Sequence, residues 1–241
     1  WWNSVLAFRS DDGAKHFAPA KPLVVAATPF RQEIGQTRHR GFFSPSNMFA
    51  YGRHVYAFVS TTGFEGQPFG ACLIRNADPL NSGGWRGYDG RDFTVRWSDP
   101  YGPSTPYPQS CAPMEVFGFP VGYVARHRAS GQFIAVWEAP RVANRFPTPG
   151  FYYATSRDLL DWSLPGLLMP GAVVHDACNG GANKDGPVIA YPSLIDGDAQ
   201  GRNFDNTGDA PWLYFAQVRN HGCFASAERV LVRVRLKISR R

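Results

Sequence analysis

The stretch "YYATSRDLLDWS", residues 152–163, runs from a strand-like segment into a turn carrying Asp158 and on to Trp162. Two looser copies sit elsewhere in the chain. "FGACLIRNADPLNSGGW" (69–85) leads through Asp78 to Trp85, and "SVLAFRSDDGAKHF" (4–17) leads through Asp12 to Phe17 in the Trp place. In each, the Asp is suited to cap the turn by accepting backbone N–H groups, and the aromatic to plug the space between neighbouring sheets.

Working outward from this turn, the strand-like runs fall into ordered sets. The first strand of each set is entered through a proline: "SPSNMFAY" (44–51, Pro45), "FPVGYVAR" (119–126, Pro120) and "YPSLIDGD" (191–198, Pro192). Proline removes one ladder donor and so suits a strand start. The second strands, "HVYAFVST" (54–61), "QFIAVWEA" (132–139) and "PWLYFAQV" (211–218), are dense in β-branched and aromatic residues, as strands covered on both faces are. Helix signals are scarce, because 25 Gly and 20 Pro are scattered along the chain and interrupt any 3.6-residue period.

Strands recurring as ordered sets predict an all-β fold, organised as a β-propeller rather than a sandwich. The expected division is a single propeller domain over 1–241, with a partial blade at 1–43 and blades at 44–110, 111–184 and 185–241. The leading set has an outer pair of strands around 4–26 and no inner strands. A propeller must close to remove its edges. The expectation is therefore that sequence precedes Trp1, which is no initiator Met, or that a partner supplies the closure.

Composition narrows the function classes. The chain has 241 residues, 44% hydrophobic and 15% aromatic, which fits a folded protein. No apolar run approaches the roughly 18 residues of a membrane helix, so no membrane span is expected. The net charge is +6. Its one concentration, "RVLVRVRLKISRR", alternates Val230, Val232, Val234, Leu236 and Ile238 with Arg233, Arg235 and Lys237. A period of two is a strand with a solvated basic face, and nucleic acid is not the expected partner.

The cysteines, Cys72, Cys111, Cys178 and Cys223, form no CxxC pair, so a zinc knuckle lacks its spacing. Cys72 lies in the apolar run "GACLIR" and reads as a buried small hydrophobe. Cys111, Cys178 and Cys223 lie in loop-like sequence, where a disulfide forms if the protein is exported, secreted or periplasmic. The histidines show no HExxH or HxH spacing, although His175, Asp176 and His221 are candidates to meet in space. No G-x-S-x-G elbow and no phosphate-cradling loop is present, and no cofactor or metal is implied.

The order of proline-entered inner strand, aromatic second strand and then "YYATSRDLLDWS" resembles the five-bladed β-propeller glycosidases of the arabinanase, xylosidase and invertase type, whose blades carry an A-S-x-D-L-x-x-W turn. The likeness runs from about residue 4 to 238. "SDDGAKHF" also resembles the sialidase Asp-box, but Ala14, His16 and Phe17 replace three signature positions, so it is read as a structural turn. The glycosidase resemblance implies a carbohydrate in a central funnel and hydrolysis by two facing carboxyl groups, one protonating the leaving oxygen and one activating water or attacking the sugar.

In that family the carboxylates sit at inner-strand entrances. Here those entrances read Ser44 and Ser46, Gly118 and Val121, Ala190 and Ser193, and none is acidic. The candidate catalytic acids are therefore others: Glu138, ending the second strand in "AVWEAPR" level with an inner-strand entrance; Glu115 in "CAPMEVFGF"; and Asp185 or Asp176 in the Gly-rich "HDACNGGANKDGP" loop. Candidate substrate-binding residues are Ser46, Asn47, Trp137, Ser193 and Gln217, with Trp137 as a sugar-stacking ring beside Glu138. The missing entrance acids support the alternative, a non-catalytic propeller that binds a glycan or another protein.

Overall fold

The structure is a computed structural model that describes residues 2–30, 39–97, 99–102, 110–174, 184–199, 201 and 203–239. It divides into two compact units, Trp1–Pro120 and Val121–Arg241. The chain is all-β. Two of its meanders, over residues 49–95 and 121–170, are ordered as propeller blades are, each strand hydrogen-bonded to the next in sequence, and no α-helix occurs among the described residues.

The first unit opens with β1 (Trp2–Asn3), the hairpin of β2 (Val5–Arg9) and β3 (Ala18–Ala26), and β4 (Arg40–Phe43). A meander follows: β5 (Phe49–Tyr51), β6 (His54–Thr61), β7 (Gly70–Asn76), β8 (Arg86–Tyr88) and β9 (Phe93–Val95). β4 and β5 both pair with β6, at Phe42↔Thr61 and Phe49↔Tyr56. Pro45 falls in the gap between them. Ser46 bridges that gap, its N–H donating to Phe58 O at 2.9 Å while its Oγ accepts the Phe58 N–H at 2.9 Å.

The second strand behaves as its composition predicts: the last six residues of β6 are buried, on both faces. Its Ala57 and Val59 join Val25, Phe42, Ile74, Trp85 and Val95 in the unit's core. Trp85 is thus the plug expected of it. Phe17, in the equivalent place, is 61% exposed and plugs nothing. Among the described residues its hairpin stops at two strands, so the ring has no neighbouring strand there to cover.

Cys72 is bonded to Cys111, with 6.0 Å between the Cα atoms. This corrects the reading of Cys72 as a plain buried hydrophobe and of the bridge as a pairing among the other three. Cys223 is half-buried, and Cys178 lies outside the described residues. An apolar run says that a residue is buried; it does not say that a distant loop packs its own cysteine onto the same strand.

The second unit contains a four-strand meander, β10 (Val121–His127), β11 (Phe133–Ala139), β12 (Gly150–Ser156) and β13 (Gly166–Pro170). It is followed by β14 (Pro187–Ile195), β15 (Asn206–Thr207), β16 (Trp212–His221) and β17 (Phe224–Arg235). β15 adds to β10 in parallel, and β14, β16 and β17 form a separate antiparallel sheet. All seven positions of β11 are buried, as a central strand requires. β16 departs from that expectation: it alternates buried and more open positions, and so covers one face only. The basic strand is β17, an edge on which Val230 and Leu231 are 56% and 75% exposed while Val232 packs on the core.

The opening turn is capped as its sequence predicts. Asp158 accepts the N–H groups of Leu160 and Asp161, both at 2.9 Å, and bonds Ser156 Oγ at 3.0 Å. Leu159 takes a φ of +73° inside this turn, and Trp162 donates its indole N–H to Leu159 O at 2.8 Å. Burial opposes ionisation of Asp158, but the N–H donors outweigh it and hold its carboxyl below the ordinary range. Asp78 caps its own turn through Leu80 N–H at 3.0 Å, and Asp12 accepts Lys15 and His16 N–H at 3.1 and 3.0 Å.

Candidate functional site

Two bulges in the second unit build the candidate site. The pairing of β10 with β11 slips between Val121 and Tyr123, and that of β14 with β16 slips between Ala190 and Ser193. The local causes are legible. Pro192 has no N–H to give a ladder, so it is tolerated where pairing is interrupted. Gly122 faces it across the two strands, and a Cβ there would lie 2.8 Å from Pro192 O, so only glycine permits this approach. Pro192 therefore marks a bulge inside β14, not the strand's start; Pro120 does stand directly before β10.

Tyr191, in the β14 bulge, has a φ of +59°, a region that costs a residue with a Cβ free energy and that clusters at functional sites. Its side chain is 62% exposed. Its N–H donates to Glu138 Oε2 at 3.3 Å. Glu138 lies on β11, one residue past Trp137, which pairs with Val121 at the start of β10. The expected level of Glu138 with an inner-strand entrance is what the register shows, and the residue is 7% exposed. The result is a buried acceptor pinned at a strained bulge, beside an open aromatic ring.

The other candidates are placed differently. Trp137 is fully buried, stacked at 6.3 Å on Tyr152 and edge-on to Phe146 at 6.2 Å, so it has no open face for a sugar ring. This corrects its reading as a stacking residue. In β11 successive side chains alternate faces, and both faces of this strand lie in the core. Ser193, opposite Tyr214, is half-buried two residues beyond Tyr191. Gln217 is exposed on β16 opposite Ile189.

Asp185 is exposed and caps the β16–β17 turn by accepting Gly222 N–H at 2.7 Å. That engagement is a turn-capping role, away from the bulge. In the first unit, Glu115 is exposed in a turn, and Ser46 serves the ladder described above, its hydroxyl also donating to Asn47 O at 2.8 Å. Asn47 itself is half-buried in the same crossing. His175 and Asp176 lie outside the described residues.

A second polar cluster sits where β10 meets β15. Asp196, 6% exposed, accepts Gly208 N–H at 2.6 Å, Asp198 N–H at 3.0 Å and Arg128 Nη2 at 3.0 Å. Burial pushes its pKa up, but these donors and the guanidinium charge win and hold it below the ordinary range. The buried His127 ring spans Ser130 Oγ and Asp209 Oδ1, each at 2.8 Å. Saturated in this way, the groups fasten the 196–209 loop and leave little bonding capacity for a substrate.

Tyr191 is the residue that sequence reasoning passed over. Its signal was present, as the aromatic preceding a proline at an inner-strand position, but its positive φ and open ring follow from the bulge.

No protein-family model matches the chain, and no curated protein matches it. A solved structure described as a complex of BT0996 with RGII is similar at 12% sequence identity with a TM-score of 0.42, over 90% of this protein and 57% of that one. The protein thus spans a little over half of that neighbour's length. The likeness assigns it neither a ligand nor an activity.

Proposed function

We propose that this is a carbohydrate-binding protein of glycoside hydrolase-like build, and that its second unit holds a sugar at the β14 bulge. The observation that carries this reading is the bond from the backbone N–H of Tyr191, a residue whose ring is open, to the buried Glu138 carboxylate. A sugar presents hydroxyl donors at its edge and C–H groups on its faces. A fixed carboxylate oxygen suits the first and an exposed aromatic the second. Ser193 adds a hydroxyl nearby on the same strand. The disulfide Cys72–Cys111 fits a secreted or periplasmic setting.

Hydrolysis is the further reading, with Glu138 as the candidate acid because its carboxylate is held at the β14 bulge. It requires a partner carboxyl at roughly 5–10 Å across the sugar. A glycan array and a panel of chromogenic glycosides separate the two readings. Binding that weakens about tenfold or more in Tyr191→Ala supports the site; binding indifferent to this change sinks it. Turnover that falls at least a hundredfold in Glu138→Gln assigns the acid, and binding without any turnover assigns the non-catalytic form.

A further inference from the structure

In the first unit, a second ligand site stands on an arginine that has no counter-charge among the described residues. Arg40, on β4, makes no ion pair and no side-chain hydrogen bond with any of them. Its guanidinium carbon lies 4.8 Å from the Phe64 ring centroid and 6.0 Å from that of Trp2. Trp2 meets Phe64 edge-on at 4.8 Å and Phe30 at 5.7 Å, and Phe30 meets Tyr101 at 5.1 Å. Tyr101 is 78% exposed and forms the open rim of this cradle. Arg40 Nε, Trp2 Nε1 and Thr62 Oγ1 are all buried with no hydrogen-bond partner among the described residues.

Buried donors left unsatisfied are rare in folded proteins and call for an explanation. Two of these, on Trp2 and Arg40, stand on paired positions of β1 and β4 and share one cradle, and Thr62 follows the end of β6 opposite Gly41. The local structure holds them there. Gly41 has a φ of +90°, and a Cβ on it would collide with Asn3 O, so glycine alone lets β1 lie against β4 and set Trp2 opposite Arg40. The turn that presents Phe64 is closed by reciprocal Phe64–Gln67 backbone bonds at 2.9 Å. The Gln67 amide then clamps Cys111, accepting its N–H at 2.9 Å and donating to its O at 3.1 Å. The Cys72–Cys111 bridge anchors that clamp to β7.

We infer that this cradle binds a saccharide bearing a carboxylate, a uronic acid residue. A planar guanidinium matches a carboxylate with two parallel bonds, and the Trp2 indole packed against that guanidinium senses the anion. The aromatic rim accepts the apolar face of the attached pyranose ring. Its residues all belong to the first unit, and its test reads residues other than Glu138 and Tyr191.

The test is a titration of the full-length protein with trigalacturonate, galactotriose and inorganic phosphate, followed by the Trp2 indole N–H resonance and by calorimetry. The resonance is assigned by its loss in Trp2→Phe. Trigalacturonate is expected to move that resonance and to bind at least tenfold more weakly to Arg40→Met, with Arg40→Lys restoring only part of the affinity because it lacks the fork. Galactotriose and phosphate are expected to leave the resonance in place. Equal shifts with galactotriose make the cradle a neutral-sugar site, and equal shifts with phosphate make it a point-charge site. Either result overturns the inference, as does a Trp2 resonance unmoved by trigalacturonate. Should Arg40→Met fail to fold, the wild-type titration decides by itself.

Discussion

Tyr191 concentrates cost and use in one residue. A side chain at φ +59° is held against a penalty of about 1–2 kcal/mol, and its ring is left in water instead of the core. Tyr191→Gly removes that strain while adding unfolded-chain entropy of about 0.5–1 kcal/mol, so the variant is expected to be as stable as the parent or about 1 kcal/mol more stable. Glycan binding is expected to be lost in the same variant. Chemical denaturation and array binding read the two effects separately, and a large loss of stability would show that the ring is structural. Tyr123 gives the opposite case. Burial, helped by the Asp205 charge, pushes its hydroxyl pKa from 10.0 up to about 12, while its O–H donates to Asn203 O at 3.0 Å and Phe204 O at 3.1 Å. A raised folded pKa means that its contribution is fully present below pH 10 and is lost as pH rises through about 12. The alkaline loss of stability over that window is expected to shrink in Tyr123→Phe, followed by ultraviolet titration and unfolding at matched pH.

Among the elements, the Asp-bearing turns and the disulfide fix the strands that carry the sites. The bond Cys72–Cys111 closes a 39-residue separation, for which the loop-entropy relation gives a stabilisation of about 4 kcal/mol. Cys72→Ala with Cys111→Ala is expected to lower stability by roughly that amount and to loosen the Phe64 turn through Gln67. Denaturant unfolding measures the first, and the Trp2 indole resonance reports the second. The three Asp turns were readable because a carboxylate collecting N–H groups is local chemistry, complete within a few residues. The bulges were not readable. The sequence pattern marks Pro192 as a strand entry, whereas β14 runs back to Pro187 and the proline is accommodated inside it. What decides between these is the approach of Gly122 from a strand distant in sequence.

At the scale of the whole molecule, the net charge of +6 is spread widely, and its one dense run lies on β17, where Arg233 and Arg235 rest over the Trp212 ring at 4.4 and 4.9 Å. Exposed charges of this kind attract polyanions only through a screened field, whose reach is about 8 Å at 0.15 M salt. Retention on heparin is therefore expected to disappear by about 0.3 M NaCl, while glycan binding at Tyr191 is expected to persist there; the two salt profiles measured side by side check this. No helix among the described residues is long and apolar enough to cross a membrane. The sequence by itself determined the all-β class, the ordered strand sets, the capped Asp turns and the level of Glu138 on β11, because these follow from side-chain period, turn chemistry and antiparallel register. Only the tertiary structure decided that Trp137 is core and Tyr191 is open, that Cys72 pairs with Cys111, and that Arg40 meets Trp2 and Phe64. Each of these depends on which distant strand packs against which, and no local pattern encodes that.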